Sequence, residues 1–241
     1  MTIVSLQRNV CFLHFHKCGG TSVERAYESV ALLTDLIIGS TKFGEAAQSH
    51  YSEKFGVGKH ASADNMSQAL GSKWKDLRKF ALVRNHFRVY ESYYGWIERV
   101  ISYNAQEKQQ SVDQACAAVR NGAGEYHFEK WGVAVAYSHT SSFDEFMAYT
   151  LEKKIGVRET YLRRMNHDLN KDSLEVFDLS EMDLFWDRFS AAVGTKIPRK
   201  HENKSRSSKA MSWSKENIDG VLGLFRDDFE FFGFEADPLK R

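Results

Sequence analysis

Residues 10–30 combine a strand pattern, two adjacent glycines and a helix pattern, and this order constrains the fold more than any other feature of the sequence. Residues 10–15 read Val-Cys-Phe-Leu-His-Phe, an apolar run with β-branched and aromatic members that is typical of a buried strand. Apolar residues then recur at helical spacing at Val23, Ala26, Tyr27 and Val30. Thr21 or Ser22 can cap this helix, so the segment predicts a strand, a tight loop and a helix.

The loop between this strand and helix has the chemistry of an anion site. A helix start exposes unpaired backbone N–H groups and the positive end of the helix dipole, which favour phosphate. Gly19 and Gly20 let a ligand approach the main chain closely, because they carry no Cβ. Thr21 and Ser22 add hydroxyl donors, and Lys17 adds a mobile positive charge. We therefore expect a phosphate-binding strand-loop-helix near the N-terminus.

The order of residues in this loop differs from that of a Walker A loop, in which the lysine follows the glycines. Here Lys17 precedes Gly19 and Gly20, so the sequence excludes that motif. The simpler alternative is an ordinary strand-to-helix turn that happens to contain a lysine.

Two further strand patterns place the loop in an α/β fold. Residues 80–83 form a second apolar run, and residues 174–179 alternate like a strand. From His86 onward aromatic and aliphatic residues recur at steps of three and four, and residues 181–193 are amphipathic. Strands that alternate with helices predict a central parallel β-sheet flanked by helices. With no linker or repeat, the 241 residues predict a single domain over 1–241.

Charge, hydropathy and cysteine content argue against nucleic acid, membranes and metals as partners. The net charge is +1, which gives no broad basic field and argues against nucleic acid as a partner. No segment approaches 18 apolar residues, so we expect no membrane partner. Cys11, Cys18 and Cys116 cannot all pair and have no metal-ligand spacing, which predicts reduced thiols, a cytoplasmic location and no metal site.

A second polar pair follows the second strand. Arg84 comes directly after residues 80–83, and Ser92 lies two turns into the helix that begins at His86. A guanidinium at a strand end offers a forked donor to phosphate oxygens, and the Ser92 hydroxyl can face back towards it. Taken alone, however, such an arginine is more typical of a surface ion pair, and such a serine of a solvated helix face.

These two segments resemble the sulfotransferases that use 3′-phosphoadenosine 5′-phosphosulfate (PAPS), and their style is closest to the carbohydrate and bacterial members. The family's 5′-phosphosulfate loop reads roughly P/H-K-x-G-G-T-S, which residues 16–22 match. Its 3′-phosphate motif resembles R-[DN]-P-x-x-R-x-x-S-x-Y, which residues 84–94 match except for His86 at the proline and the placement of Arg88. Residues 201–205 and 225–234 look like the family's C-terminal loop and ending.

The resemblance implies an α/β sulfotransferase fold and a PAPS donor held without a metal. Lys17 is expected to act on the bridging oxygen and the leaving 5′-phosphate, as a catalytic residue. The donor-binding residues that the resemblance and the residues themselves suggest are His16, Cys18, Gly19, Gly20, Thr21, Ser22, Arg84, Ser92, Lys204, Ser205 and Arg206.

An acceptor hydroxyl is a weak nucleophile and needs a general base. We choose His60, because histidine suits neutral pH and because some carbohydrate sulfotransferases place a catalytic histidine before the strand that corresponds to residues 80–83. Glu24 and Glu53 are weaker candidates, and His14 is expected to be packed on its strand.

The sequence leaves three questions open. A nucleotide-dependent kinase-like enzyme and a non-catalytic nucleotide-binding or scaffold protein are the alternatives to a sulfotransferase. The acceptor is a carbohydrate or a small alcohol or phenol, and the residues do not decide between them. They also do not fix the oligomeric state.

Overall fold

The computed structural model describes residues 2–156, 159–165, 174–199 and 211–240. The strands are β1 (Ile3–Ser5), β2 (Val10–Leu13), β3 (Leu36–Ile37), β4 (Arg78–Val83) and β5 (Leu174–Asp178). The helices are α1 (Gly20–Tyr27), α2 (Lys42–Phe55), α3 (Ala63–Leu70), α4 (His86–Glu107), α5 (Val112–Asn121), α6 (Gly132–Ser138), α7 (Phe143–Glu152), α8 (Tyr161–Met165), α9 (Met182–Val193), α10 (Lys215–Leu224) and α11 (Arg226–Phe232).

The described chain divides into two compact units. The first contains residues 2–84, 161–165 and 174–199, and therefore holds the whole sheet. The second contains residues 85–156, 159–160 and 211–240, and in this described part it is helical. The prediction of one domain over the whole chain stays a prediction.

The sheet of the first unit has five strands in the order β3-β1-β2-β4-β5. β2, β4 and β5 run parallel, with Phe12 opposite Phe80 and Phe80 opposite Glu175. The strands and helices expected at residues 80–83, 174–179, 181–193 and from His86 onward are confirmed as β4, β5, α9 and α4.

The prediction of a parallel sheet is correct only for these three strands, and the sheet is mixed. β1 pairs antiparallel with β2 and with β3. The reason is local: only residues 6–9 join β1 to β2, and so short a connection can form a hairpin but no parallel crossover. Asn9 adopts the left-handed conformation that such a turn needs, with φ 54°.

Aromatic side chains fill the space between the sheet and α9. Phe12 and Phe80 from the sheet lie 5.7–6.5 Å from Phe185 and 5.2–6.1 Å from Phe189, measured between ring centroids. All four are fully buried. α9 ends at Gly194, whose left-handed backbone (φ 75°) closes the helix without a Cβ clash. This packing fixes the strands whose carboxyl ends carry the candidate site.

Because β2, β4 and β5 are parallel, their carboxyl ends meet at one edge of the sheet. The residues that leave this edge are His14 after β2, Arg84 after β4 and Leu179 after β5. In open α/β sheets this edge is where ligands bind.

The second unit is organised around α4, which is 22 residues long and contacts α5, α6 and α7. Asn85 caps its start, since the side-chain oxygen accepts from the Phe87 N–H. His86 stands at the position where the motif has proline. Its ring is fully buried, hydrogen-bonded to Asp228 at 2.7 Å and stacked on Phe225.

Arg88 is the second residue whose placement departs from the 3′-phosphate motif, and its contacts are structural. Its guanidinium binds both carboxylate oxygens of Glu91 and donates to the backbone carbonyls of Pro238 and Lys240. The side chain therefore holds the C-terminal residues against α4. Among the described helices, none is both long enough and apolar enough to cross a membrane.

We predict that His86→Ala lowers the free energy of unfolding by about 3 kcal/mol, because it removes a fully buried ring and takes the hydrogen bond from the equally buried Asp228 carboxyl. Urea-induced unfolding measures this change. His139→Ala is the matched control, since His139 is an exposed histidine of the same unit, and it should change stability by less than about 0.5 kcal/mol. Equal effects of the two substitutions would contradict the role given to His86.

Candidate active site

The loop between β2 and α1 has an unusual backbone. Lys17 and Gly19 both adopt the left-handed conformation, with φ 61° and 79°. For a residue with a Cβ this conformation costs about 1 kcal/mol or more, so the surroundings of Lys17 must hold it in place. α1 begins at Gly20 with Gly19 as its N-cap, and no side chain caps it. The expected capping by Thr21 or Ser22 is therefore wrong, because both lie inside the first turn.

The two glycines serve different purposes. A Cβ on Gly20 would lie 2.1 Å from Cδ2 of His14, so that space belongs to the histidine ring and no ligand can use it. A Cβ on Gly19 would lie 2.8 Å from Leu179, and the left-handed backbone disfavours a side chain there as well. The requirement for Gly20 therefore comes from packing against His14.

The anion site expected at this loop would use backbone N–H groups of the first turn of α1. The Ser22 N–H donates to the Gly19 carbonyl at 3.0 Å. The N–H groups of Gly20 and Thr21 belong to the set that has no acceptor within a helix. The Thr21 hydroxyl lies 3.2 Å from the Ser40 hydroxyl, which fixes its rotamer.

A network of side chains ties the loop to the end of β4. The Cys18 thiol lies 3.1 Å from the Tyr161 hydroxyl, which donates to the Arg84 carbonyl at 3.0 Å. The Arg84 guanidinium in turn donates to the Lys17 carbonyl at 3.4 Å. Burial raises the pKa of Cys18 to about 12, so the thiol stays protonated at neutral pH.

Three histidines, His14, His16 and His60, meet beside the loop; we call them the histidine group. The rings of His16 and His60 are stacked with centroids 3.5 Å apart, and His14 meets His60 edge-on at 4.7 Å. Nδ1 of His60 lies 3.1 Å from the His14 carbonyl, which can only accept. This contact assigns the proton to Nδ1 and leaves Nε2 of His60 as the proton-accepting nitrogen.

The histidine group is neutral at pH 7. Burial, followed by the positive charge of Arg164, lowers the pKa of His16 to about 3. Burial, followed by His16, holds the pKa of His60 well below 6.5. A neutral His60 can accept a proton, but a base whose pKa lies so far below neutral pH is a weak one.

Glu24 forms a buried pair with His14 beneath the loop. Its Oε1 lies 2.6 Å from Nδ1 of His14, and the carboxyl is fully buried. Burial raises the pKa of Glu24 to about 7 and lowers that of His14. We infer that the pair keeps one proton near neutral pH, since either a second proton or none would leave a buried net charge. Glu53, the other carboxylate candidate, is exposed on α2.

α8 brings two residues to the site that the sequence did not single out. Tyr161 joins Cys18 to Arg84, as described above, and its ring packs 5.5 Å from that of Phe15. Arg164 donates to the His60 carbonyl, and its guanidinium lies 5.5 Å from the Phe15 ring centroid. The region around α8 carries no motif or regular spacing, so only the fold could reveal this contact.

The structure thus brings together most of the predicted site residues, namely His16, Lys17, Cys18, Gly19, Gly20, Thr21, Ser22, His60 and Arg84. Ser92 lies on α4 in the second unit, where it is buried. Lys204, Ser205 and Arg206 lie outside the described residues. Within the described ranges, no three His, Cys, Asp or Glu side chains are arranged to hold a metal ion.

The chain was compared with protein-family models, with curated proteins and with solved structures, and none of them matches it. The functional argument therefore depends on the residues and geometry of the site.

The raised pKa of Glu24 predicts a pH-dependent stability. This carboxyl contributes stability that is fully present below pH 4.5 and is lost as the pH rises through about 7. Glutamine cannot ionise, so the Glu24→Gln variant does not lose this contribution. Between about pH 5 and about pH 8, the free energy of unfolding of the parent should therefore fall by about 2 kcal/mol more than that of the variant.

Urea titrations across this range measure the difference. The pKa of His14 is lowered, which acts on stability in the opposite direction, and both proteins contain this buried histidine. Glu53→Gln is the control and should follow the parent. A Glu24→Gln profile parallel to that of the parent would show that the folded protein does not shift this pKa.

Proposed function

We propose that the protein is a PAPS-dependent O-sulfotransferase that transfers a sulfuryl group to an acceptor hydroxyl. The observation that carries this proposal is the loop from His16 to Ser22, which follows a parallel strand and whose left-handed Lys17 is bonded through its carbonyl to the Arg84 guanidinium. The motif that suggested Lys17 and the motif that suggested Arg84 are separate in sequence. Their contact at one sheet edge supports a common ligand.

The residues present fit a donor with two anionic groups. The amides of Gly20 and Thr21 at the start of α1, together with Lys17, suit the 5′-phosphosulfate. Arg84, next to the same loop, suits the 3′-phosphate. The Ser92 and 204–206 contacts stay sequence-based predictions.

The chemistry is an in-line transfer in which the donor supplies the sulfuryl group. The acceptor oxygen forms a bond to sulfur, and the bond between sulfur and the 5′-phosphate oxygen breaks with its electron pair left on that oxygen. Lys17 and the two amides stabilise the negative charge that builds up there. Nε2 of His60 takes the proton of the acceptor hydroxyl, which balances the step.

We predict that Lys17→Ala reduces turnover by roughly 10²–10³-fold and changes the affinity for the product 3′-phosphoadenosine 5′-phosphate (PAP) by less than about tenfold. A stabilising charge on the leaving group acts mainly in the transition state. Product release from PAPS, in the presence of sugars and phenols, measures turnover, and calorimetry measures affinity.

Lys42→Ala, a surface substitution at the start of α2, is the control for a lost positive charge. If Lys17→Ala weakens PAP binding as much as it slows turnover, the leaving-group role is rejected. If neither parent nor variant releases PAP, the proposed activity itself fails.

A further inference from the structure

His16 stands at the entrance of the loop, and no group of the donor is assigned to it. Its ring is half-buried and lies face to face with the ring of His60, with centroids 3.5 Å apart and planes inclined by 28°. The covered face of His16 is therefore not open to a nucleotide base. Burial, followed by the charge of Arg164, lowers the pKa of His16 to about 3, so the neutral imidazole brings no charge to a phosphate.

His60 is held by two residues of one short segment. His14 and His16 follow β2 and flank Phe15, whose ring packs against Tyr161 instead. The His14 carbonyl accepts the Nδ1 proton of His60 at 3.1 Å. Because the outer torsion of a histidine side chain is broad, this hydrogen bond alone leaves the plane of the ring loosely defined. The stack on His16 restricts that plane, so the two contacts together fix the direction of Nε2 of His60.

The backbone that carries these two contacts is itself fixed on both sides. The His14 ring fills the space beside Gly20, and its Nδ1 lies 2.6 Å from the Glu24 carboxyl. The His16 carbonyl accepts from the Cys18 thiol at 3.3 Å. His16 is therefore a firm surface against which the ring of His60 can rest.

We propose that His16 is a positioning residue, whose ring holds the imidazole of His60 in the plane that directs Nε2 at the acceptor hydroxyl. The inference rests on the proposed function, because it takes His60 as the base. It gives His16 a role other than the donor contact that the sequence suggested. In-line transfer needs the base, the hydroxyl and the sulfur in a defined arrangement, so a loosely held base lowers turnover and leaves donor affinity unchanged.

Two variants test this role by separating turnover from donor affinity. His16→Ala removes the ring, and His16→Phe keeps a flat ring without a nitrogen. We expect His16→Ala to lower kcat by roughly threefold to tenfold, the range that one aromatic stack supplies, and to change PAP affinity by less than about twofold. His16→Phe should keep at least about half of the parent kcat. His50→Ala is the matched control and should behave like the parent, because His50 is an exposed histidine of the same unit.

A spectroscopic measurement detects the ring of His60 directly and needs no acceptor. Nitrogen NMR distinguishes a histidine protonated on Nδ1 from one protonated on Nε2, and the signals of His60 are those missing from His60→Asn. The parent and His16→Phe should show His60 protonated on Nδ1, as its hydrogen bond to the His14 carbonyl requires. In His16→Ala the released ring should also populate the form protonated on Nε2.

Three results would overturn the inference. The first is a His16→Ala variant in which either kcat or the protonation site of His60 is that of the parent. The second is a His16→Phe variant as impaired as His16→Ala, since a nitrogen of His16 and not its flat ring would then matter. The third is a loss of PAP affinity as large as the loss of kcat, which would return His16 to the donor site. Absence of PAP binding or of turnover in the parent would instead reject the sulfotransferase proposal, and the NMR comparison would still decide whether His16 holds the ring.

Discussion

The hydrogen bond from the Arg84 guanidinium to the Lys17 carbonyl is the contact on which the candidate site depends. It joins the first two parallel strands at their carboxyl ends and helps to hold Lys17 in a conformation that a lysine rarely adopts. Tyr161 makes a second link between the same elements through Cys18 and the Arg84 carbonyl. Two ties therefore hold the loop, one through the guanidinium and one through the carbonyl of Arg84.

The histidine group both packs under the loop and orients the ring of His60. His14 occupies the space beside Gly20, and its buried bond to Glu24 anchors the end of β2 under the loop. The same arrangement provides the carbonyl that orients His60. Burial, followed by His16, lowers the pKa of His60 well below 6.5 and makes the ring a weak base.

Local patterns in the sequence predicted the elements that form the parallel part of the sheet. β2, β4, β5 and α9 have clear periodicity, and the structure has them where the sequence indicated. β1 and β3, of three and two residues, are too short for a pattern, so the mixed sheet could not be foreseen. The motifs identified Lys17 and Arg84, but Tyr161 and Arg164 reach the site only through the fold. Glycine is likewise required at position 20 because of a tertiary contact, the close approach of the His14 ring.

The measurement that tests the central claim most directly is a calorimetric titration of the parent and of Arg84→Ala with PAP, ADP and ATP. The account predicts that PAP binds the parent at least roughly tenfold more tightly than ADP, since only PAP has the 3′-phosphate, and that Arg84→Ala removes this preference. Binding of ATP but not of PAP would contradict the account and favour a kinase-like enzyme. Absence of binding by all three nucleotides would remove the loop from nucleotide chemistry altogether.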